Sequence, residues 1–181
     1  MTLEKRDYIV WMDLEMSGLD PVNDKILEVA CLITDGNLKK VSDEFHIIIH
    51  QSDEVLNGMD EWCTEHHEKT GLTNASRNST VTNSDAESRL LKFLQKNIPQ
   101  RTCPLAGNSV YMDRMFLTMH MPLVNEYLHY RIIDVSTVKE LVRRWNPSVF
   151  KNTPRKKLCH RALDDIIESI QELEYYRKFI F

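Results

Sequence analysis

The chain has 181 residues, of which 42% are hydrophobic, so it is long enough for one domain with a substantial core and short for two. Its 23 Lys and Arg residues and 27 Asp and Glu residues give a net charge of −4, which excludes a global positive field that would attract long nucleic acids. We therefore expect a single domain over residues 1–181, and any nucleic-acid substrate is expected to be short.

Localisation is indicated by three further features. No apolar run approaches the roughly 20 residues that span a bilayer, and the N-terminal MTLEKRDY lacks a signal-peptide core. The four cysteines form no CxxC pair, which fits unpaired thiols in a reducing compartment better than a disulfide or zinc framework. These features predict a soluble, intracellular protein without a membrane segment, and they leave open an upstream targeting peptide.

The predicted elements begin with three strands, at residues 8–16, 26–34 and 45–50, with DGNLKK as a tight turn between the last two. Helical patterns follow at residues 60–69 and 85–97, separated by a loop over NASRNSTVTNSD. The second helix is expected to open with a capping box formed by Ser84 and Glu87 and to end before Pro99.

The second half of the chain alternates strands and helices. It predicts a short strand at residues 105–107, a helix from near Tyr111, a strand at residues 132–135, a helix over 137–145 ended by Pro147, and a last helix over 161–179. The buried stripe of that last helix is expected at Leu163, Ile166, Ile167, Ile170 and Leu173. This order predicts an α/β domain, in which a mixed β-sheet with three antiparallel strands first and parallel strands afterwards is flanked by helices.

Acidic residues in three separate segments are the main candidates for function. Asp13 and Glu15 lie two apart in a strand, so both project from one face while Leu14 points into the opposite layer. Two carboxylates on one face repel each other unless a cation lies between them, although solvated acids at a strand end are the alternative. The apolar YIVWM before them places the pair at the rim of the sheet, where the sites of α/β folds gather.

Asp113 and the segment HRALDDI complete the set. Asp113 falls in the first turn of a predicted helix, where the helix dipole alone would explain a carboxylate. His160 is expected in the loop before the last helix, and the usual imidazole pKa of about 6.5 suits a general base at neutral pH, although a surface histidine is the alternative. Helical periodicity does not choose between Asp164 and Asp165. Converging carboxylates are what hard divalent cations prefer, and such a site suits phosphodiester hydrolysis.

The segments WMDLEMSGLDP, GNSVYMDRMFL, YRIIDVSTVKEL and HRALDDIIESIQEL resemble the oligoribonuclease family of the DEDDh exonuclease superfamily, which has an RNase H-like fold. The resemblance extends from Tyr8 to Tyr176. It implies a 3′-to-5′ exoribonuclease that hydrolyses short single-stranded RNA, dinucleotides especially, to nucleoside 5′-monophosphates. It also implies two divalent ions per active site, Mg²⁺ or Mn²⁺, expected about 4 Å apart, a homodimer, and a cytoplasmic or mitochondrial location.

The resemblance also assigns roles residue by residue. The metal ligands are Asp13, Glu15, Asp113 and Asp165, which chooses Asp165 over Asp164, and His160 is the general base. The substrate-binding positions comprise base-stacking residues, one histidine and a group around the 5′ phosphate: Leu19, Trp62, His67, Ser109, Arg131, Ser136, Thr137, and Tyr130 from the second subunit. By its residue type alone, Trp62 is more often a core or interface residue.

Three alternatives differ in class. A broader 3′-to-5′ exonuclease acting on long RNA or DNA would share the metal site. A catalytically inactive RNA- or protein-binding module would have no need of all four acids and the histidine. A cysteine hydrolase using Cys159 beside His160 is disfavoured, because adjacent residues rarely present their side chains to each other and no third orienting group is evident.

Overall fold

The computed structural model describes residues 5–154 and 161–180. Its centre is a five-stranded sheet with the order β3-β2-β1-β4-β5. β1 pairs with β2 and β2 with β3 in antiparallel fashion, whereas β4 joins β1 and β5 joins β4 in parallel. The mixed sheet predicted from the order of elements is confirmed. The strands are β1 Ile9–Met16, β2 Ile26–Thr34, β3 Phe45–Ile48, β4 Leu105–Gly107 and β5 Ile132–Asp134.

Helices surround this sheet, and the described residues also contain a short 3-10 turn at Lys5–Asp7. The five helices predicted from the sequence are α2 Glu61–Lys69, α4 Asn83–Asn97, α5 Tyr111–His120, α7 Val135–Trp145 and α9 Ala162–Ile180. Four more were not predicted: α1 Asp53–Asn57, α3 Leu72–Asn78, α6 Pro122–Tyr127 and α8 Pro147–Lys151. Each of these is too short to show a helical period, and α3 takes up part of the segment expected to be a loop.

The alternation of β1 divides the core into two layers. Val10, Met12 and Leu14 face one layer, which is filled by side chains of α4 and α5. Ile9 and Trp11 face the other, which is filled by α7 and α9. Leu14 thus lies opposite to its two acidic neighbours, as the period of a strand predicts. All nine residues of β2 are buried, since helices cover both of its faces.

The first residues of α4 correct the predicted capping box. Thr82 is the N-cap and its hydroxyl accepts from the Asp85 N–H at 3.1 Å, while the Asp85 carboxylate accepts from the Thr82 N–H at 3.3 Å. The predicted box of Ser84 and Glu87 is therefore wrong by two residues. Glu87 accepts instead from the Leu123 N–H at 2.7 Å, so it caps the start of α6.

The buried face of α9 also differs from the predicted stripe. Ile166 is buried, and Leu163, Ile170 and Leu173 pack against the same core cluster. Ile167 is 37% exposed, so its assignment to the stripe is wrong. The helix instead buries Glu172, whose carboxylate is held by ion pairing and hydrogen bonding to Lys139 and Tyr176.

Within residues 5–154 and 161–180, the structure has no helix of the length and apolar character needed to cross a membrane.

The corrected cap gives a stability prediction. Thr82→Ala removes the hydroxyl that caps α4 and should lower the free energy of unfolding by about 1 kcal/mol. Ser84→Ala, a matched change in the exposed first turn, should alter it by less than about 0.5 kcal/mol. Urea denaturation followed by circular dichroism measures both, and a larger loss in Ser84→Ala than in Thr82→Ala would contradict the assignment.

Candidate active site

The site lies where β1 continues past its neighbour β4. The parallel pairing of β1 with β4 covers Val10 and Trp11 only, so the next part of β1 has β2 on one side and no strand on the other. The Leu14 N–H on this open side donates to the Asp113 carboxylate at 2.9 Å. Asp113, buried in the first turn of α5, thus takes the place of a neighbouring strand and brings a third carboxylate beside Asp13 and Glu15.

α9 brings the fourth carboxylate. Oxygen atoms of Asp13, Glu15 and Asp165 all lie within 4.8 Å of one another. Asp164, the alternative that periodicity left open, is exposed and is not part of this group. The structure therefore brings together three of the four predicted metal ligands in one cluster, and the fourth, Asp113, adjoins it through the backbone of β1.

Burial and mutual repulsion make these carboxyls reluctant to ionise. Burial, followed by the nearby charges of Asp165, Glu28 and Asp113, raises the pKa of Glu15 from its ordinary 4.5 to about 8. The pKa of Asp13 is raised well above its usual range, again by burial first and then by Asp113 and Glu15. Burial also raises the pKa of Asp113 to about 7, although the hydrogen bond from Leu14 opposes the shift.

This donor set fits a hard divalent cation. Carboxylate oxygens are the ligands that Mg²⁺ and Mn²⁺ prefer, and a cation between them would offset the burial and repulsion that raise their pKa values. The carboxylates of Asp13, Glu15 and Asp165 are partly buried rather than sealed in the core. The cluster is thus reachable by an ion and by a substrate phosphate.

A cleft of about 360 Å³ adjoins the cluster and is lined by Glu15, Leu19, Trp62 and His67, among other residues. Leu19 is 71% exposed and Trp62 is 55% exposed, so both present apolar surface at this cleft. The Trp62 ring stacks on His66 with centroids 4.0 Å apart. His67 is buried, and its Nε2 is 2.9 Å from the Met16 carbonyl oxygen, so it joins α2 to the end of β1.

The loop that presents Leu19 is held by hydrogen bonds. Asp24 accepts from the Ser17 hydroxyl and from the Asp20 N–H, both at 2.9 Å. Gly18 fits beneath this carboxylate, because a Cβ at that position would lie only 2.3 Å from an Asp24 oxygen. Leu19 therefore projects from an ordered turn rather than from a loose loop.

Two of the four residues expected around the 5′ phosphate meet where β4 and β5 end. The hydroxyls of Ser109 and Ser136 are 3.2 Å apart, and the Ser109 N–H donates to the Asp134 carboxylate at 2.9 Å. Ser109 has a φ of 50°, a left-handed conformation that these contacts hold in place. Thr137 is exposed beside Ser136 in the first turn of α7.

This serine pair is connected to the acid cluster. The Ser136 hydroxyl donates to Asn108 at 3.0 Å, and the Asn108 amide donates to the Ser169 hydroxyl at 2.6 Å. The Ser169 hydroxyl in turn donates to the Asp165 carbonyl at 2.7 Å. A chain of hydrogen bonds therefore runs from the ends of β4 and β5 to the helix turn that carries Asp165.

Arg131 and Tyr130 lie apart from that pair, immediately before β5 rather than after it. The Arg131 guanidinium is 5.2 Å from the centroid of the Tyr130 ring, and Tyr130 is 73% exposed. Among the described residues, neither side chain contacts the acid cluster of the same chain.

Comparison with known proteins identifies the family. The chain matches the family model described as Exonuclease over residues 10–173. A probable oligoribonuclease of Drosophila melanogaster is 53% identical over 173 residues, which are 96% of this chain and 82% of the fly protein. The mitochondrial oligoribonuclease of Homo sapiens is 54% identical over 173 residues, which are 96% of this chain and 73% of the human protein. The chain belongs to the oligoribonuclease family of exonucleases.

Solved structures confirm the fold. Exonuclease I superposes with a TM-score of 0.74 at 15% identity, covering 95% of this chain and 41% of that chain. A zinc-bound complex of E. coli exonuclease I with single-stranded DNA gives a TM-score of 0.74 at 14% identity, covering 95% of this chain and 40% of that chain. The chain therefore has the RNase H-like fold and spans less than half of exonuclease I. As a family member it is a 3′-to-5′ exoribonuclease.

Two outcomes concern His160 and Glu28. His160, the predicted general base, and Cys159 lie outside the described residues, so their roles stay predictions. Glu28 was missed by the sequence reasoning, although a charged residue inside the apolar run ILEVACLIT is itself a signal. It lies directly across from Glu15 in the β1–β2 register and is fully buried.

The raised carboxyl pKa values predict how stability depends on pH without metal. Between pH 4.5 and about 8 the folded protein keeps the Glu15 proton that the unfolded chain has lost, so stability falls as pH rises through this window. In chelator, the midpoint of thermal unfolding should decrease by a few degrees across it. Excess Mn²⁺ should reduce the decrease, because the cation replaces the proton.

Calorimetry or circular dichroism at several pH values measures this, with Glu15→Gln as the control. That variant keeps the shape of the side chain and should show a shallower decrease in chelator. A midpoint that stays constant or rises between these pH values in the wild-type chain would contradict the prediction.

Proposed function

We propose that the chain hydrolyses short oligoribonucleotides, dinucleotides especially, from the 3′ end and releases nucleoside 5′-monophosphates with the help of two divalent ions. The observation that carries the proposal is the cluster of Asp13, Glu15 and Asp165 beside a cleft with exposed apolar walls. The names of the related oligoribonucleases support the same substrate class.

Asp13, Glu15 and Asp165 would hold the ions, with Asp113 as the fourth carboxylate of the set. Bound there, Mg²⁺ or Mn²⁺ would activate a water molecule and neutralise negative charge at the scissile phosphate. Asp113 also has a second task, because it holds the Leu14 N–H and so orders the strand segment between the two β1 acids. His160 would accept the proton of the attacking water, a role that suits an imidazole near neutral pH.

Leu19 and Trp62 would hold the bases of the substrate. Every nucleotide presents a flat face, so two exposed apolar side chains across a cleft accept any base sequence. Trp62 keeps its orientation by stacking on His66, and Leu19 keeps its own through the ordered turn around Asp24. His67, which lines the same cleft, would contact the substrate near the acid cluster.

Ser109, Ser136 and Thr137 would receive the 5′ phosphate at the ends of β4 and β5, and Arg131 would reach it from the start of β5. Together they would limit the length of the substrate. Hydroxyl groups bind phosphate oxygens as donors, and a guanidinium can bind two of them together. The hydrogen-bond chain through Asn108 and Ser169 supports a small separation between the proposed phosphate-binding residues and the acid cluster. The net charge of −4 also disfavours long strands.

A homodimer would complete the site. Tyr130 is expected to reach the 5′ phosphate of the partner subunit, and its 73% exposure beside Arg131 leaves it available for that contact. Three further apolar side chains lie one helical turn apart on α5 and are also exposed: Tyr111, Met115 and Met119. Such a row disfavours a solvated monomer surface and suits a subunit interface.

The location of the protein in the cell would be cytosolic or mitochondrial, in keeping with the names of the mammalian relatives.

The function is tested by comparing a 5′-phosphorylated ribodinucleotide with a 20-mer, using Mg²⁺, Mn²⁺ or chelator. The dinucleotide should be cleaved to monophosphates much faster than the 20-mer, and only with metal. Equal rates would indicate a general exonuclease, and no cleavage would favour a binding module.

Asp165→Asn should lower the turnover of the ribodinucleotide by about 100-fold or more, because it removes a charged metal ligand. Asp164→Asn is the matched control, since Asp164 is the exposed neighbour in the same helix turn and should retain near wild-type turnover. Circular dichroism checks the fold of both. Full activity in folded Asp165→Asn would remove this residue from the mechanism.

A site shared between two subunits predicts complementation between two impaired variants. Asp165→Asn and Tyr130→Ala should each be weakly active alone. After subunit exchange in a 1:1 mixture, about a quarter of the sites combine an intact Asp165 with an intact Tyr130, so turnover should recover to about that fraction. No recovery despite exchange, shown by fluorescence transfer between labelled subunits, would place Tyr130 outside the partner's site.

A further inference from the structure

Glu28 is a charged residue at the centre of the sheet. It is fully buried in β2, and the antiparallel register places it directly opposite Glu15. A buried carboxylate is costly unless it is paired, and here it also adds to the repulsion at the acid cluster. Its presence therefore requires a compensating interaction.

Arg161 supplies that interaction. Its guanidinium is 3.4 Å from a Glu28 carboxylate oxygen, which also contacts the His46 ring. The same guanidinium donates at 3.3 Å to the carbonyl of Thr70, the C-cap residue of α2. One side chain therefore joins the sheet beside Glu15 to the end of the helix that carries Trp62 and His67.

The backbone of Arg161 leads to the metal cluster. Its carbonyl accepts the N–H of Asp165 at 3.0 Å, in the first turn of α9. The position of this carbonyl therefore influences where α9 begins and where the Asp165 carboxylate lies. The side chain of Arg161 is held by Glu28 and Thr70, and its backbone carbonyl is held by the hydrogen bond from Asp165.

We propose that Glu28 and Arg161 form a positioning pair that holds Asp165 against Asp13 and Glu15 and so sets the affinity of the site for divalent ions. Neither residue is a metal ligand. The inference rests on the metal site of the proposed function and adds two residues that act through Asp165.

The positive charge of Arg161, considered alone, would weaken metal binding, whereas a positioning role would strengthen it. Arg161 is near enough to Glu15 for its positive charge to lower the pKa of that carboxyl. The same charge repels a cation at the cluster, so its removal should strengthen metal binding if charge were all that mattered. A positioning role predicts weaker binding after the same change, and the two explanations are therefore separated by sign.

The experiment is a titration of Mn²⁺ into the substrate-free chain, followed by the electron paramagnetic resonance signal of free Mn²⁺. Arg161→Gln should weaken Mn²⁺ binding by about tenfold or more, as expected for a residue that orients a ligand. Glu28→Gln should weaken it similarly. The double variant should be little worse than either single change, because both disrupt one interaction. Arg143→Gln, which removes an exposed arginine that pairs with Glu140, is the control and should bind as the wild type does.

Arg161→Lys provides a second variant that keeps the charge in case Arg161→Gln does not fold. A lysine ammonium cannot reproduce the two-sided guanidinium contact, so binding should weaken although the charge is unchanged. Circular dichroism and the unfolding midpoint are recorded for every variant.

Wild-type affinity in folded Arg161→Gln or Arg161→Lys, or tighter binding in the former, would overturn the positioning role and leave the proposed function intact. If the wild-type chain binds no Mn²⁺, the metal site itself fails, and the role of the pair fails with it.

Discussion

Carboxylates that repel one another meet at the end of β1, and the surrounding elements hold them together. Asp13, Glu15 and Asp165 have oxygens within 4.8 Å of one another, with Asp113 alongside, and burial strengthens their repulsion. Such an arrangement persists only because independent interactions hold each element that contributes to it. The sheet fixes β1, the apolar face of α9 fixes that helix against Trp11 and Ala30, and Asp113 is fixed by the Leu14 N–H.

The local pattern of the sequence was sufficient for much of the fold. The strands, the five longer helices and the placement of Asp13 and Glu15 on one face follow from apolar runs and from the period of a strand. Helix capping did not follow, because Thr82 and Ser84 are both good N-caps and only the path of the chain decides between them. The four short helices have too few residues for a period to appear.

The candidate site was predictable in its residue types but not in its geometry. Helical periodicity could not choose between Asp164 and Asp165, because the choice depends on where α9 begins and how it packs on the sheet. The family resemblance chose Asp165, and the structure places that residue in the cluster. The hydrogen bond of Asn108 and the ion pair of Arg161 join segments far apart in the chain, and no local sequence pattern predicts such contacts.

The placement of the elements brings the acid cluster and the proposed phosphate-binding residues to one edge of the sheet. β1, β4 and β5 run parallel, so their carboxyl ends meet at one edge of the sheet. Asp13 and Glu15 lie in the second half of β1, whereas Ser109 and Ser136 come shortly after β4 and β5. Adjacent strands are only about 4.8 Å apart, so this arrangement suits the short substrates of the proposed function.

Anomalous diffraction from crystals grown with Mn²⁺ would show directly whether these carboxylates hold metal. We expect manganese density coordinated by Asp13, Glu15 and Asp165, and loss of this density in Asp165→Asn crystals of the same form. Manganese sites elsewhere on the surface with none at this cluster would contradict the claim that these carboxylates converge to hold metal.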